Sequence, residues 1–147
     1  MAEKQLFPVF DLPQIPETDA VDEIYRQSVY FDYELGDFRR DGSGRLVVAD
    51  GREAWIQWCI KMVGTERLTC LAYNEDIGTE FEAMGDLSDV DSNWMKIQKT
   101  ITDALMMHRA TEWVSGFEFE NDGEDVVCSF EIKGYPWAES HALTVRV

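Results

Sequence analysis

The C-terminal third constrains the fold most. Phe117 and Phe119 alternate with Glu118 and Glu120. Val126, Cys128, Phe130 and Ile132 alternate with Val127, Ser129 and Glu131, and Leu143, Val145 and Val147 with Thr144 and Arg146. A period of two puts successive side chains on opposite faces, so each run predicts a strand with one buried and one wet face. Asn121-Asp122-Gly123-Glu124 predicts a tight turn, its glycine taking the left-handed position. Gly134-Tyr135-Pro136 breaks the pattern before the last run. Three such strands in series predict an antiparallel meander, and its apolar face must be covered by something else.

Two helices can supply that cover. Asp50 is placed as an N-cap, and Glu53 three residues later completes a capping-box pattern. Trp55, Trp58, Cys59 and Met62 recur at helical spacing, and Gly64 is placed to stop the helix. A longer helix is predicted from about Val90 to His108, capped by Asp89 or Asp91. Trp94, Ile97, Ile101, Leu105 and His108 share one face of it, with Ala104 beside them. A protonated His108 would meet the helix dipole favourably there. Residues 28 to 49 predict a β-hairpin: Val29, Phe31 and Tyr33 alternate with Tyr30, Asp32 and Glu34, and Arg45 to Ala49 forms the return strand. Asp41-Gly42-Ser43-Gly44 lies in the link. Leu68 to Tyr73 is a short apolar run that reads as a strand or an irregular crossing segment, and Thr79 to Met84 reads as one or two helical turns. The predicted class is α+β: an N-terminal β-hairpin, two main helices and a C-terminal three-stranded antiparallel meander, all within residues 28–147.

Residues 1–27 form a different kind of segment, an extended arm. Pro8, Pro13 and Pro16 exclude a helix or a central strand. Leu6, Phe7, Val9, Phe10, Leu12 and Ile15 are too apolar for a purely solvated tail. Phe7, Phe10 and Leu12 are the candidate contacts, either on the chain's own domain or on a neighbouring subunit.

Charge and composition exclude several roles. Thirteen Lys and Arg against twenty-nine Asp and Glu leave a net charge of -16. Such a chain repels phosphate backbones and anionic lipid, so neither nucleic acid nor a membrane surface is an expected partner. No run of eighteen apolar residues spans a bilayer, and the N-terminus lacks the pattern of a secretory signal. Cys59, Cys70 and Cys128 have no C-x-x-C spacing and read as reduced thiols. Neither His108 nor His141 lies at ligand spacing from a cysteine, so no metal or other cofactor is expected.

The sequence has no phosphate-binding glycine loop, zinc-protease helix or nucleophile elbow. Glu66 and Asp76 flank an apolar segment and could be cast as the paired carboxylates of a glycosidase, but only their proximity in sequence supports that. More distinctive is Gly64-Thr65-Glu66-Arg67, which follows a helix end and precedes the loop Tyr73-Asn74-Glu75-Asp76-Ile77-Gly78. Arg67 offers a planar fork for two-pronged contacts.

The order of these pieces is characteristic. Phe31-Asp32-Tyr33-Glu34-Leu35-Gly36-Asp37-Phe38 precedes Val47-Val48-Ala49-Asp50-Gly51, then Ala54-Trp55-Ile56-Gln57-Trp58, Thr65-Glu66-Arg67, Asp76-Ile77-Gly78 and the meander. Over roughly residues 27 to 147 this resembles the baseplate wedge proteins, or sheath initiators, of contractile phage tails and tail-derived bacteriocins, in the branch of Gram-positive prophages and contractile bacteriocins. The family is labelled lysozyme-like, although its members are structural. Glu66-Arg67 and Asp76-Ile77-Gly78 match the outer parts of a family pattern whose middle prolines and second arginine are missing here.

The resemblance implies a non-enzymatic part resembling a truncated sheath subunit. Six copies would ring the base of the tail tube, assembled in the host cytoplasm and then held in the baseplate. Partners would be the sheath protein, the baseplate wedge proteins and the tube or hub. Thr65, Glu66, Arg67, Asp76 and Gly78 would face the wedge core. Leu143, Thr144, Val145, Arg146 and Val147 would form an edge that accepts terminal strands of the sheath. Two other readings lead elsewhere: a small acidic adaptor or inhibitor of a basic protein, and a peptidoglycan hydrolase.

Overall fold

The computed structural model describes residues 26–81, 90–123 and 125–147. Within them the elements run β1 (Ser28–Val29), β2 (Phe31–Asp32), β3 (Asp37–Phe38), β4 (Val48–Ala49), α1 (Gly51–Val63), α2 (Val90–Met106), β5 (Thr111–Asp122), β6 (Asp125–Gly134) and β7 (His141–Arg146). The class is α+β, as the residue pattern predicts.

Strands β5, β6 and β7 form the antiparallel meander with β6 in the middle. Phe119 lies opposite Cys128, and Cys128 opposite Val145. This face meets the helices, and Cys128, Phe130 and Ile132 are buried there. Glu118, Glu120, Glu131, Thr144 and Arg146 lie exposed on the other. Gly123 turns β5 into β6 at φ 72°, as expected.

The first strand starts earlier than the sequence suggests, at Thr111 instead of Phe117. The physical reason is a β-bulge. Ser115 pairs with Glu131 and Glu118 with Ser129, so β5 carries one extra residue there, and Gly116 sits at φ 68°. Val114 opposes Ile132 and Phe119 opposes Cys128, on one face although five residues apart. An odd separation cannot share a face in a regular strand, and the bulge restores the phase.

Both helices turn their predicted stripes inward. On α1, Trp55, Cys59 and Met62 are buried, as are Ala54, Ile56 and Val63. On α2, Ile97, Ile101, Ala104 and Leu105 are buried. Trp94 is only half-buried and stacks on Phe119 with ring centres 5.3 Å apart. Trp55 donates its indole N–H to Thr111 Oγ1 at 3.2 Å, joining α1 to the start of β5.

Three local expectations are corrected. Asp50 is the N-cap residue, with the extended backbone expected there, but its side chain makes no capping bond. Gly51 follows it at φ 48°, which turns the entry so that the first helical bonds go to the Asp50 carbonyl, from Glu53 N–H at 3.0 Å. His108 is not a protonated cap. Its Nδ1 accepts the Ala110 N–H at 3.1 Å, and burial, with Arg109 adding to it, holds its pKa below the ordinary histidine value. Tyr33 and Glu34 belong to a turn, because Asp32 Oδ1 accepts the N–H groups of Glu34 and Leu35 at 3.0 and 3.1 Å.

The N-terminal hairpin is therefore nested. β2 pairs with β3 inside, and β1 pairs with β4 outside. Gln57 on α1 anchors it by bonding both backbone groups of Phe31, accepting its N–H at 3.3 Å and donating to its carbonyl at 3.1 Å.

Candidate functional site

The segment after α1 closes on itself. Glu66 and Thr79 form an isolated parallel bridge. Thr79 N–H donates to the Thr65 carbonyl at 2.9 Å, and Arg67 N–H to the Thr79 carbonyl at 2.8 Å. Thr79 is fully buried, with its hydroxyl on the Val63 carbonyl at 3.2 Å. The helical turns expected from Thr79 are thus replaced at Thr79 by this bridge, and residues 82–84 lie outside the described set.

Gly78 is required here. Its φ is 107°, and a Cβ on it would lie 2.6 Å from the Thr65 carbonyl oxygen. Glycine alone tolerates both. The guanidinium of Arg67 turns inward: Nε and one terminal nitrogen donate to the Gly78 carbonyl at 3.3 and 3.0 Å, and the other lies 3.5 Å from Glu80. The structure therefore brings Thr65, Glu66, Arg67 and Gly78 together as a clasp. Asp76 stands apart, exposed, accepting a bond from the Asn74 amide at 3.1 Å. The clasp holds out a loop on which Leu68 and Leu71 are exposed, so the run from Leu68 to Tyr73 is an irregular segment and not a strand. Sequence reasoning missed Met62 and Thr79 as parts of the clasp. Met62 reads as a core residue, but its sulfur also takes the Gly78 N–H at 3.3 Å.

The second candidate is the edge of the meander. Val126 and Val147 exchange both backbone bonds at 2.9 Å, extending the β6–β7 ladder by one pair. Bonded pairs alternate along an antiparallel ladder, so Val147, Val145 and Leu143 face β6 with their N–H and C=O groups. Ala142, Thr144 and Arg146 aim theirs away from β6. On the exposed face the side chains fasten β7 inward. Thr144 Oγ1 meets Ser129 Oγ at 3.0 Å, and Arg146 bonds Asp122 at 2.9 Å and Asp125 at 3.4 Å. Leu143, Val145 and Val147 pack on the core from the other side. The strand is held firmly while its outer row of backbone groups points outward.

Phe7, Phe10 and Leu12, the candidate contacts of the arm, lie outside the described residues. Among the described residues no group of three His, Cys, Asp or Glu could hold a metal ion, and no helix is long and apolar enough to cross a membrane. Burial pushes the thiol of Cys128 up to about 11 and that of Cys59 higher still, so neither is a ready nucleophile.

The model of the contractile injection system sheath initiator family matches residues 27–135. No curated protein matches the chain. Among solved structures, a chain in the cryo-EM structure of the anti-feeding prophage (AFP) baseplate, 6-fold symmetrised, is similar over 87% of this chain and 89% of that one, with 14% sequence identity and a TM-score of 0.49.

Proposed function

The chain belongs to the contractile injection system sheath initiator family, and from that premise we propose that it sits in a tail baseplate and templates the first ring of sheath by accepting strands on β7. It is a structural component of such a system, and the β7 edge supplies the chemistry such a part needs. An added strand needs a row of N–H and C=O groups at the right spacing, and the outward groups of Ala142, Thr144 and Arg146 form one. Main-chain bonds give the affinity, and the fixed position of β7 removes much of the ordering cost of the first contact. Partners in this reading are the sheath protein, the wedge proteins and the tube or hub, with six copies per particle. The clasp at Thr65–Arg67 and Gly78 shapes the loop that faces the wedge core, with Asp76 exposed on that loop to make the contact itself.

The outward backbone row carries this reading, and proline tests it. Thr144→Pro removes an N–H that points away from β6, so the β6–β7 ladder keeps its bonds. The variant should melt within a few degrees of the parent yet fail to nucleate sheath on tail tubes in cosedimentation. Val145→Pro, which removes an inward bond, should lose stability as well. Normal nucleation by Thr144→Pro would overturn strand addition at this edge.

A further inference from the structure

A groove of about 680 Å³ lies between the N-terminal hairpin and α1. Its walls include the rings of Phe31, Phe38, Trp58 and Tyr73. Phe38 is 47% and Tyr73 37% exposed, unusually open for large aromatic groups gathered in one concavity. The charge is as unusual as the apolarity. In a chain of net charge -16, the charged lining residues are Arg26 and Lys61, with no carboxylate among the described residues. Lys61 Nζ stands 4.3 Å above the Tyr73 ring. The groove thus suits an apolar segment that carries negative charge.

We propose that its occupant is the chain's own N-terminal arm, through residues 6–15. Three observations converge on that segment. First, Arg26 lines the groove, so the arm leaves the described structure at the groove wall. Residues 16–25 tether the apolar part to that wall with a reach of up to roughly 35 Å. A tether of this kind gives an effective concentration in the millimolar range, which a separate molecule must outcompete. Second, Leu6-Phe7-Pro8-Val9-Phe10-Asp11-Leu12-Pro13 alternates large apolar groups with proline. Proline fixes φ in advance, and aromatic-lined grooves take such segments because little chain entropy remains to be lost. Third, the charges are opposite. Residues 1–25 carry Glu3, Asp11, Glu17, Asp19, Asp22 and Glu23 against Lys4 alone. Asp11 lies between Phe10 and Leu12, placed to reach Arg26 or Lys61 when those side chains are seated.

The proposal is independent of the strand edge, so its failure leaves the reading of β7 intact. The test uses the full chain with the photoreactive residue benzoylphenylalanine in place of Phe10, irradiated at low micromolar concentration. Cross-links are expected in a band of monomer mass, and mass spectrometry should map them to the peptides holding Trp58, Tyr73 or Phe38. Lys61→Glu, an exposed change on α1, should cut their yield several-fold while the circular dichroism spectrum is unchanged. Phe10→Ala in the otherwise natural chain should raise hydrogen exchange in the peptides that line the groove. Cross-links mapping elsewhere, or appearing only at twice the monomer mass, would overturn the proposal. The second result would assign the groove to the arm of another copy.

Discussion

Single residues decide the shape of the loop after α1. Gly78→Ala places a Cβ against the Thr65 carbonyl at 2.6 Å and forces an alanine to φ 107°. Backbone strain of this kind costs about 1–3 kcal/mol. The urea midpoint should fall, and the amides of Arg67 and Thr79, which close the clasp, should exchange faster. Unchanged exchange at both would mean that the clasp does not depend on Gly78. His108 gives a prediction in pH. Burial and Arg109 lower its pKa in the folded chain, and burial and Arg52 lower that of His141 against the opposing pull of Glu53. Unfolded histidines take up protons near pH 6.5. As pH falls below that value the unfolded chain binds more protons than the folded one, so stability drops. The loss starts near 6.5 and grows until the folded pKa values, which lie lower, are passed. The urea midpoint should be lower at pH 5.5 than at pH 7.5. His108→Asn keeps an acceptor for Ala110 and should narrow that gap without closing it, because His141 still titrates.

At the scale of elements, burial ranks the two helices' side chains differently from size. Leu105 on α2 is fully buried, and Leu105→Ala should cost about 2–5 kcal/mol. Trp94 is larger but half-buried, and its main contact is the stack on Phe119. Trp94→Ala should cost less, about 1–2 kcal/mol including the ring pair. Paired denaturant titrations check the order, and a larger loss at Trp94 would mean that α2 presents a different face to the sheet. These positions also show what the sequence made legible. The alternation of Cys128, Phe130 and Ile132, and the spacing of Ile97, Ile101 and Leu105, report burial directly because one period governs each run. The first part of β5 was hidden because the bulge at Gly116 changes the phase, and no simple period crosses it. The turn at Asp32 was hidden because Phe31 to Glu34 also alternates, while a side-chain bond to two N–H groups bends the chain there. The family resemblance groups Thr65, Glu66, Arg67, Asp76 and Gly78, and the structure brings together all of them but Asp76. Their inward role was not, since it rests on a close backbone approach between segments more than ten residues apart.

The whole molecule is one strongly acidic chain with a firmly held edge strand and an aromatic groove whose wall includes Arg26. A net charge of -16 makes copies of the chain repel one another and favours encounter with a basic surface, so raised salt should weaken assembly if charge steers it. The chain belongs to the sheath initiator family, and the proposed strand addition rests on the outward row of backbone groups on β7. The most direct measurement is cosedimentation of the cognate sheath protein with preformed tail tubes, with and without a small molar fraction of this chain. Ordered sheath should form on the tubes when the chain is present, and the sheath protein should stay soluble when it is absent. Equal polymerisation in both samples would contradict it.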